Sequence, residues 1–335
     1  MLLILVSLTA AYLVAKLKLD NKRRDLSKPL RVAILGASGI GRVHARLYHK
    51  LGAAVIAILC KSDVKAKKVA ADLKSTFGIV VNPSSNINRI LEEDLDAISI
   101  CTPPALHLQQ IIAAFDKNIP VFCEKPLFWK KGYGSKEVME KLKVLQRHPN
   151  RKLFVNTSNT VFIDAINKQI GTVDFSKNFT FEFYTNGPLQ GLDIAIDLLP
   201  HGFSLLLHIF GKRKISKLNW TVGRNNFFCE FMYGGCNVSF DFREDINGPR
   251  HFLIGLDSKR FRRMQEGRGV SYKVHLMDED TNERIPSIDP FEVYISEFID
   301  YCSRQGKHLP DGFNTASLNM KLMASCFDLI NQTST

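Results

Sequence analysis

The apolar positions divide the chain from residue 30 onward into two parts with different rhythms. In the first part, short apolar runs rich in β-branched residues alternate with stretches whose apolar residues recur at helical spacing. Such runs predict buried parallel strands, each followed by a helix, and therefore a doubly wound parallel sheet over residues 30–150. The predicted strands are 31–35, 54–60, 79–81, 97–101 and 120–123, and a helix at 136–145 leads to a further apolar run at 153–155.

Beyond residue 150, strand-like runs dominate the pattern. They predict an α+β domain over residues 151–335 that contains a largely antiparallel open sheet. The predicted strands are 179–184, 218–222, 227–232, 236–242, 251–256 and 272–276. The predicted helices of this part are 160–170, 193–210, 291–302 and 316–330.

The first 19 residues form a hydrophobic segment without a charge before Lys16. A membrane-spanning helix needs about 20 apolar residues, so this segment reaches the lower limit if its lysines snorkel. The basic linker 20–29 includes Lys22-Arg23-Arg24, which favours a cytoplasmic position for the residues that follow. The pattern predicts an N-terminal membrane anchor with the enzyme facing the cytoplasm. The alternatives are a cleaved signal or luminal anchor, and a hydrophobic extension of a soluble protein.

Composition narrows the class of protein. The net charge of +12 permits a nucleic-acid partner, but no zinc-finger spacing, recognition helix or RNA-binding aromatic motif accompanies the basic residues, so we expect no nucleic acid and no metal. The seven cysteines include no C-x-x-C pair and sit mostly in apolar runs, which predicts buried free thiols. The basic cluster 259–263 indicates either an exposed hairpin, a membrane-facing patch or a contact for a phosphorylated substrate.

A glycine-rich turn, Gly36 to Gly41, joins the first predicted strand to the first predicted helix. In this setting glycines permit a tight turn and a close approach of helix to strand, and the helix N-terminus offers amides to a pyrophosphate. The middle glycine of the G-x-G-x-x-G pattern is replaced by Ser38, and Gly39 beside it can supply the missing flexibility. We predict dinucleotide binding by Gly36, Ser38, Gly39, Ile40 and Gly41.

The end of the second strand indicates which dinucleotide is bound. An acidic residue about 20 positions beyond the glycines would bond the ribose 2′-hydroxyl and repel a 2′-phosphate. The chain has Lys61 and Ser62 there. Since both side chains attract a phosphate, the sequence favours NADP over NAD.

Two further motifs follow the ends of later strands, where doubly wound sheets bind their ligands. The first is Thr102-Pro103-Pro104-Ala105-Leu106-His107, and the second is Cys123-Glu124-Lys125-Pro126-Leu127. In the second part of the chain, Asp197 and His201 lie four residues apart, which places them on one face of a helical turn, although Pro200 would distort that turn.

The glycine turn, T-P-P-x-x-H and C-E-K-P-L together resemble the glucose–fructose oxidoreductase/inositol dehydrogenase (Gfo/Idh/MocA) family over nearly the whole chain from residue 30. The resemblance implies a cis peptide before Pro126 that aims Lys125 at the nicotinamide. It also implies a catalytic D-x-G-x-H motif, which Asp197 and His201 match, although Leu199 replaces the glycine and Ser204 replaces a common aspartate. The family's arginine after the sixth strand is absent, because the chain reads Val161-Phe162 there.

The resemblance implies an NAD(P)-dependent dehydrogenase or reductase that acts on a sugar, polyol or nucleotide sugar. In this interpretation His201 is the general acid/base, because an ordinary imidazole titrates near neutrality, and Lys125 stabilises alkoxide charge. Asp197 orients or balances these cations. The remaining predicted cofactor contacts are Lys61, Ser62, Thr102, Pro103, His107, Glu124 and Lys125.

Other interpretations stay open at this point. Some relatives of the family hydrolyse glycosides by reducing and reoxidising bound NAD within one turnover. A non-enzymatic, membrane-associated protein that binds dinucleotide is a further alternative, motivated by the departures at Ser38 and Leu199. The resemblance also implies a homo-oligomer formed through the open face of the second sheet.

Overall fold

The computed structural model describes residues 28–157, 159–174, 176–267, 272–303 and 312–333. The hydrophobic segment 1–19 and most of the linker 20–29 lie outside the described residues, so the N-terminal anchor stays a prediction.

The first domain is built on a six-stranded parallel sheet with the strand order β3-β2-β1-β4-β5-β6. This is the doubly wound topology that the alternating pattern predicts, and its switch point lies between β1 and β4, where such sheets bind ligands. The strands are β1 (Arg31–Leu35), β2 (Ala54–Leu59), β3 (Asn82–Ser84), β4 (Ala97–Ile100), β5 (Val121–Cys123) and β6 (Leu153–Val155).

Five helices connect these strands. Ser62 caps α2, because its hydroxyl accepts the amide of Lys65, and Gly78 ends that helix in the left-handed conformation. The five helices are α1 (Ile40–Lys50), α2 (Asp63–Phe77), α3 (Ile87–Leu91), α4 (Pro104–Asp116) and α5 (Ser135–Arg147).

The third strand and the domain boundary differ from the prediction. The apolar run Ile79–Val81 precedes the strand instead of forming it, and β3 comprises the three residues after it. The strand β6 pairs in parallel with β5, so the first sheet extends beyond the predicted boundary at residue 150. The run at 153–155, which follows the predicted helix 136–145 in the alternating pattern, thus forms the sixth strand of this sheet.

The second domain contains an eight-stranded sheet with the order β14-β13-β12-β11-β7-β10-β9-β8. Its pairings are antiparallel except for β7 with β10, which agrees with the predicted, largely antiparallel sheet. The strands are β7 (Asn178–Thr185), β8 (Ile215–Val222), β9 (Asn226–Tyr233), β10 (Cys236–Glu244), β11 (His251–Leu256), β12 (Lys259–Glu266), β13 (Lys273–Asp278) and β14 (Arg284–Pro286).

Helices α6 (Thr160–Ile170), α7 (Leu192–Phe210), α8 (Pro290–Ser303) and α9 (Phe313–Thr333) complete the chain. Within the described residues, α7 is the one helix long and apolar enough to cross a membrane, but 67% of its apolar window is buried inside the fold, as in a core helix. The helix α8 returns to the first domain, where the Phe298 ring packs 5.4 Å from that of Phe122 and 5.5 Å from that of Phe154.

All seven cysteines lie among the described residues and are free thiols, and five of them are buried, which confirms the prediction for most of them.

The pattern did not predict β12 as a strand. Its sequence is strongly basic, and basic side chains are poor indicators of a central strand. The strand is stabilised instead by its neighbours, because Arg260 pairs with Glu182 on β7 at 3.0 Å and with Glu279 at 3.3 Å. The interpretation of 259–263 as an exposed hairpin therefore holds only in part, since the cluster belongs to an interior strand of the sheet.

Candidate active site

The glycine turn after β1 forms an open cradle at the switch point. A Cβ atom on Gly36, whose φ is +87°, would lie 2.6 Å from the carbonyl oxygen of Cys101, and one on Gly41 would collide with the carbonyl oxygen of Gly36. Gly39 precedes α1 with φ +54°, and nothing lies within 4 Å of the place its Cβ would take. Since no side chain caps α1, the residues fit the pyrophosphate of a dinucleotide at this helix N-terminus.

Lys61 and Ser62 are exposed at the end of β2, beside this cradle. The Ser62 hydroxyl accepts the amide of Lys65 at 3.3 Å, so part of its bonding capacity is used to cap α2. The acidic residue that follows, Asp63, is turned toward Ser85, whose hydroxyl lies 2.7 Å away. These contacts leave Lys61 as the charged group that would meet a ribose substituent.

The motif that begins at Thr102 plays a more structural part than predicted. The Thr102 hydroxyl donates to the Gln110 side chain at 2.6 Å, and Pro103 is exposed at the start of α4. His107 is completely buried, with one ring nitrogen 2.6 Å from the carbonyl oxygen of Thr102 and the other 3.0 Å from that of Pro126. Its side chain therefore ties the two loops together, and the prediction that it contacts the cofactor is corrected.

Glu124 also differs from the prediction. Its carboxylate is buried, and Oε1 accepts hydrogen bonds from His44 Nε2 at 2.8 Å and from Asn156 Nδ2 at 2.7 Å. Burial alone would raise the pKa of Glu124, but His44 and Asn156 lower it below its usual value. Burial alone would likewise lower the pKa of His44, but Cys101 and Glu124 raise it. Glu124 is therefore an interior anchor of the turn.

Lys125 extends from the same turn toward the second domain. The Lys125–Pro126 peptide is cis, as the family resemblance implies. The Lys125 ammonium group donates to Asp197 Oδ1 at 2.7 Å and to the Asp197 carbonyl oxygen at 3.0 Å. This contact joins the carboxyl end of β5 to α7, so the structure brings together residues that are 72 positions apart.

Asp197 and His201 occupy successive turns of α7, which continues through Pro200 without ending. His201 lies beside Asn159, whose Nδ2 is 3.1 Å from His201 Nδ1, and its ring packs edge-on to Phe183 at 5.2 Å. Because an amide nitrogen donates, this contact leaves the imidazole proton on Nε2.

The pKa of His201 differs from that of the ordinary imidazole that the sequence analysis expected. Burial, then the charges of Lys125 and Arg263, lower the pKa of His201 well below its usual value. His201 is therefore neutral near pH 7, and its Nε2–H is suited to donate a hydrogen bond to a carbonyl oxygen. Ser204, the predicted departure from the family pattern, turns away and donates to the His201 carbonyl oxygen at 2.8 Å.

The sequence analysis missed Glu244 at the end of β10. Its side chain is 2% exposed, and Oε2 accepts the amide of Leu189 at 3.0 Å. Burial and the neighbouring Asp197 carboxylate raise the pKa of Glu244 to about 7. A signal was present, because Glu244 continues the inward-facing alternation of Cys236, Val238 and Phe240 along β10.

A cavity of about 830 Å³ lies between the first domain and the second sheet. Gly39 and Ile40 line it on one side, and Asn159 and Phe183, both in contact with His201, line it on the other. The cavity thus connects the nucleotide cradle to the His201 side of α7. No group of three or more His, Cys, Asp or Glu side chains suited to a metal ion lies in the part of the chain that the structure describes.

Comparison with known proteins agrees with this arrangement. Residues 30–157 match the model of the Gfo/Idh/MocA oxidoreductase family, described as an NAD-binding Rossmann fold. The chain is 32% identical over 102 residues to inositol 2-dehydrogenase of Rhodococcus erythropolis, a match that covers 30% of this chain and 29% of the relative. The chain is also 28% identical over 123 residues to the oxidoreductase YrbE of Bacillus subtilis, covering 37% and 34% of the two chains. The matched region thus spans about a third or less of these relatives.

Solved structures share the fold of both domains. A UDP-N-acetylglucosamine 3-dehydrogenase from Acidithiobacillus ferrooxidans superposes with a TM-score of 0.67 and 16% identity, covering 90% of this chain and 96% of that one. A myo-inositol 2-dehydrogenase from Lactobacillus plantarum gives 0.67 and 18%, covering 91% and 98%. At this identity the likeness establishes the fold alone. The sequence matches thus relate residues 30–157 to the Gfo/Idh/MocA oxidoreductase family, and the likeness of fold extends over both domains.

Proposed function

We propose that the chain is an NAD(P)-dependent oxidoreductase that transfers a hydride between the nicotinamide and a carbinol or carbonyl carbon of a sugar, polyol or nucleotide sugar. The observation that carries the proposal is the contact of Lys125 with Asp197, one helical turn from His201. Two neighbours of His201, Asn159 and Phe183, line the cavity beside the glycine cradle. Relatives named inositol 2-dehydrogenase support a sugar-like substrate. Lys61 supports NADP as the preferred cofactor, because its charge is available to a 2′-phosphate.

The residues present fit a nicotinamide dinucleotide. Gly36, Gly39 and Gly41 would hold the pyrophosphate, and Lys61 would meet the ribose phosphate. When bound, the cofactor supplies or accepts the hydride. The protein supplies position and electrostatic stabilisation, which the remaining residues provide.

Lys125 binds the reacting oxygen of the substrate. Its ammonium group uses hydrogen bonds to hold Asp197, and a further N–H donor is available for a substrate oxygen. A positive charge at this point stabilises the alkoxide that develops as a carbonyl accepts the hydride. Asp197 fixes the direction of the lysine side chain and balances its charge.

His201 and Lys125 share the work at the reacting oxygen. With Nε2 protonated and the ring neutral, His201 donates a hydrogen bond to this oxygen and keeps its proton. The Lys125 ammonium group gives its proton to the alkoxide that forms in carbonyl reduction and becomes a neutral amine. In the opposite direction the neutral amine of Lys125 accepts the hydroxyl proton.

The test is cofactor turnover by the full-length chain with keto sugars, polyols and nucleotide sugars. We expect steady consumption of NADPH with one carbonyl substrate, and loss of turnover but not of NADPH binding in His201→Phe. Cleavage of a glycoside without net change in cofactor would instead identify a hydrolase with internal redox cycling. Membrane attachment through residues 1–19 and self-association through the second sheet stay separate predictions.

A further inference from the structure

We infer that the substrate carries an anionic oxygen group, phosphoryl or carboxylate, which Arg263 binds in the cavity between the domains. The inference rests on the proposed function, because it treats the cavity as the substrate site of an oxidoreductase. It adds Arg263 as a substrate-binding residue, and it assigns the substrate to a charged class that excludes a neutral polyol.

The two faces of β12 carry arginines in opposite situations. Arg260 and Arg262 are exposed and paired, with Arg262 Nε lying 3.2 Å from Glu279 Oε1. The next residue, Arg263, points to the other face of the sheet and lines the cavity. The basic cluster in the sequence thus contains paired surface arginines and one arginine directed inward.

Arg263 has no hydrogen-bond acceptor or carboxylate partner among the described residues. Its guanidinium group lies over the rings of Phe252 at 4.5 Å and Phe183 at 5.6 Å. Aromatic faces stabilise the cation but leave the planar fork of N–H donors unused. Burial lowers the pKa of Arg263 to about 10, with Arg250 lowering it and Tyr272 and Asp289 raising it, so the group stays charged at neutral pH. A partly buried charge without a partner is costly unless a ligand completes it.

The charges around the cavity favour an anion. Arg250 lines the same wall, and its Nε donates to the neutral side chain of Asn186 at 2.7 Å. Arg46 lines the wall contributed by α1, where Arg42 is already paired with Asp72 at 2.8 Å. The acidic side chain on the cavity wall is Asp289, which accepts the amide of Phe291 at 3.1 Å. Arginines therefore outnumber carboxylates at this wall, and Arg263 and Arg250 have no carboxylate partner in the described chain.

Arg263 is also close to the reacting end of the cavity. Its charge contributes to the lowered pKa of His201, and Phe183 contacts both side chains. An anionic group on Arg263 would therefore leave the rest of the same molecule within reach of His201. The sheet position of Arg263 also separates this subsite from the cradle of the glycine turn, although both border one cavity.

The direct test is calorimetric titration of the full-length chain with inorganic pyrophosphate while NADPH saturates the nucleotide cradle. We expect Arg263→Gln to weaken pyrophosphate binding by about 10-fold or more, and Arg250→Gln to weaken it less. The matched control is Arg262→Gln, which removes the same charge from the neighbouring position of β12 and should change binding less than about twofold. Equal effects of Arg263→Gln and Arg262→Gln, or no pyrophosphate binding beside NADPH, would overturn the inference.

A substrate comparison distinguishes the source of the anion. Turnover of a sugar phosphate or nucleotide sugar with a KM that rises in Arg263→Gln supports a phosphoryl group, and the same result with a sugar acid supports a carboxylate. A neutral polyol turned over equally by wild type and Arg263→Gln contradicts both. Arg263→Lys, which keeps the charge and much of the packing on Phe252, tests the same site if the glutamine variant unfolds.

Failure of this inference differs from failure of the proposed function. A chain that consumes NADPH but shows no dependence on Arg263 retains the proposed function and loses the anionic subsite. A chain that binds pyrophosphate through Arg263 but neither binds nor consumes NAD(P)H retains an anion site and loses the proposed oxidoreductase activity.

Discussion

Glu124 and Lys125 are consecutive residues of one turn, yet their side chains lie in different surroundings. Glu124 points into the first domain, where His44 and Asn156 surround its carboxylate. Lys125 points across the cleft to Asp197 on α7. Both belong to one sequence motif and were predicted to meet the cofactor, but the structure places Glu124 in the interior of the first domain and directs Lys125 to Asp197 of the second.

The histidines beside Glu124 and Lys125 differ in pKa because their charged neighbours differ in sign. His44 is buried and His201 is half-buried, and burial lowers the pKa of each. On the Glu124 side, Cys101 and the carboxylate raise the pKa of His44 above its usual value. On the Lys125 side, the ammonium group lowers the pKa of His201 further. The sign of the neighbouring charge thus favours a charged imidazole for structural cohesion and a neutral one for chemistry.

The largest expected effect is on the Lys125 side. Lys125→Met removes the ammonium group that stabilises the alkoxide, so kcat should fall about 10³-fold, which corresponds to ~4 kcal/mol. Steady-state NADPH consumption measures kcat, and a separate NADPH titration measures cofactor binding. Lys130→Met, a change on the exposed loop after the turn, is the control. If Lys125→Met keeps the turnover of this control, the mechanism is wrong.

On the Glu124 side, the expected effect of a substitution is on the free energy of unfolding. Glu124→Gln leaves the buried His44 without its carboxylate partner, so the free energy of unfolding should fall by about 3 kcal/mol. Urea denaturation gives this value, and Glu140→Gln on the exposed face of α5 provides the comparison. An unfolding free energy equal to that of Glu140→Gln would show that Glu124 does not anchor the turn.

Glu244 extends the comparison of the two sides, because its buried carboxyl group neighbours the Asp197 carboxylate on the Lys125 side. Its pKa is raised from 4.5 to about 7, so the folded state holds this proton more tightly than the unfolded state. Stability from this group is present at low pH and is lost as the pH rises from about 5 to 8, by roughly 2 kcal/mol. Denaturation curves across this range should show a weaker loss in Glu244→Gln than in the wild type. Parallel pH profiles would argue against the raised pKa.

The smallest expected effect concerns cofactor preference. Lys61→Ala should weaken NADP binding by about 5- to 10-fold, or ~1 kcal/mol, and leave NAD binding unchanged, because only NADP carries the 2′-phosphate. Fluorescence titration of both reduced cofactors measures this, with Lys67→Ala on α2 as the control. Equal losses for NADP and NAD would remove the reason to prefer NADP.

The sequence predicted the features that short segments determine. The first sheet follows from apolar runs separated by helical spacing, and the glycine turn follows from close backbone approaches that only glycine permits at Gly36 and Gly41. The helical spacing of Asp197 and His201 was predicted because two residues four apart share a face whatever the rest of the fold does.

The remaining features depend on which distant residues meet. The motif places Glu124 next to Lys125, but only the packing of His44 and Asn156 around it shows that its side chain turns inward. Arg263 belongs to a basic run of five residues in which the sequence does not distinguish the inward position from the outward ones. That distinction comes from the register of β12 between β11 and β13.

The most direct test of the central claim follows deuterium from the nicotinamide C4, labelled on each face in turn, into the product formed by the full-length chain. Mass spectrometry should find deuterium bonded to carbon in the product from one labelled face with the wild type, and almost none formed by Lys125→Met over the same time. A product without the label from either face, or equal labelling by Lys125→Met, would contradict hydride transfer at the Lys125 site.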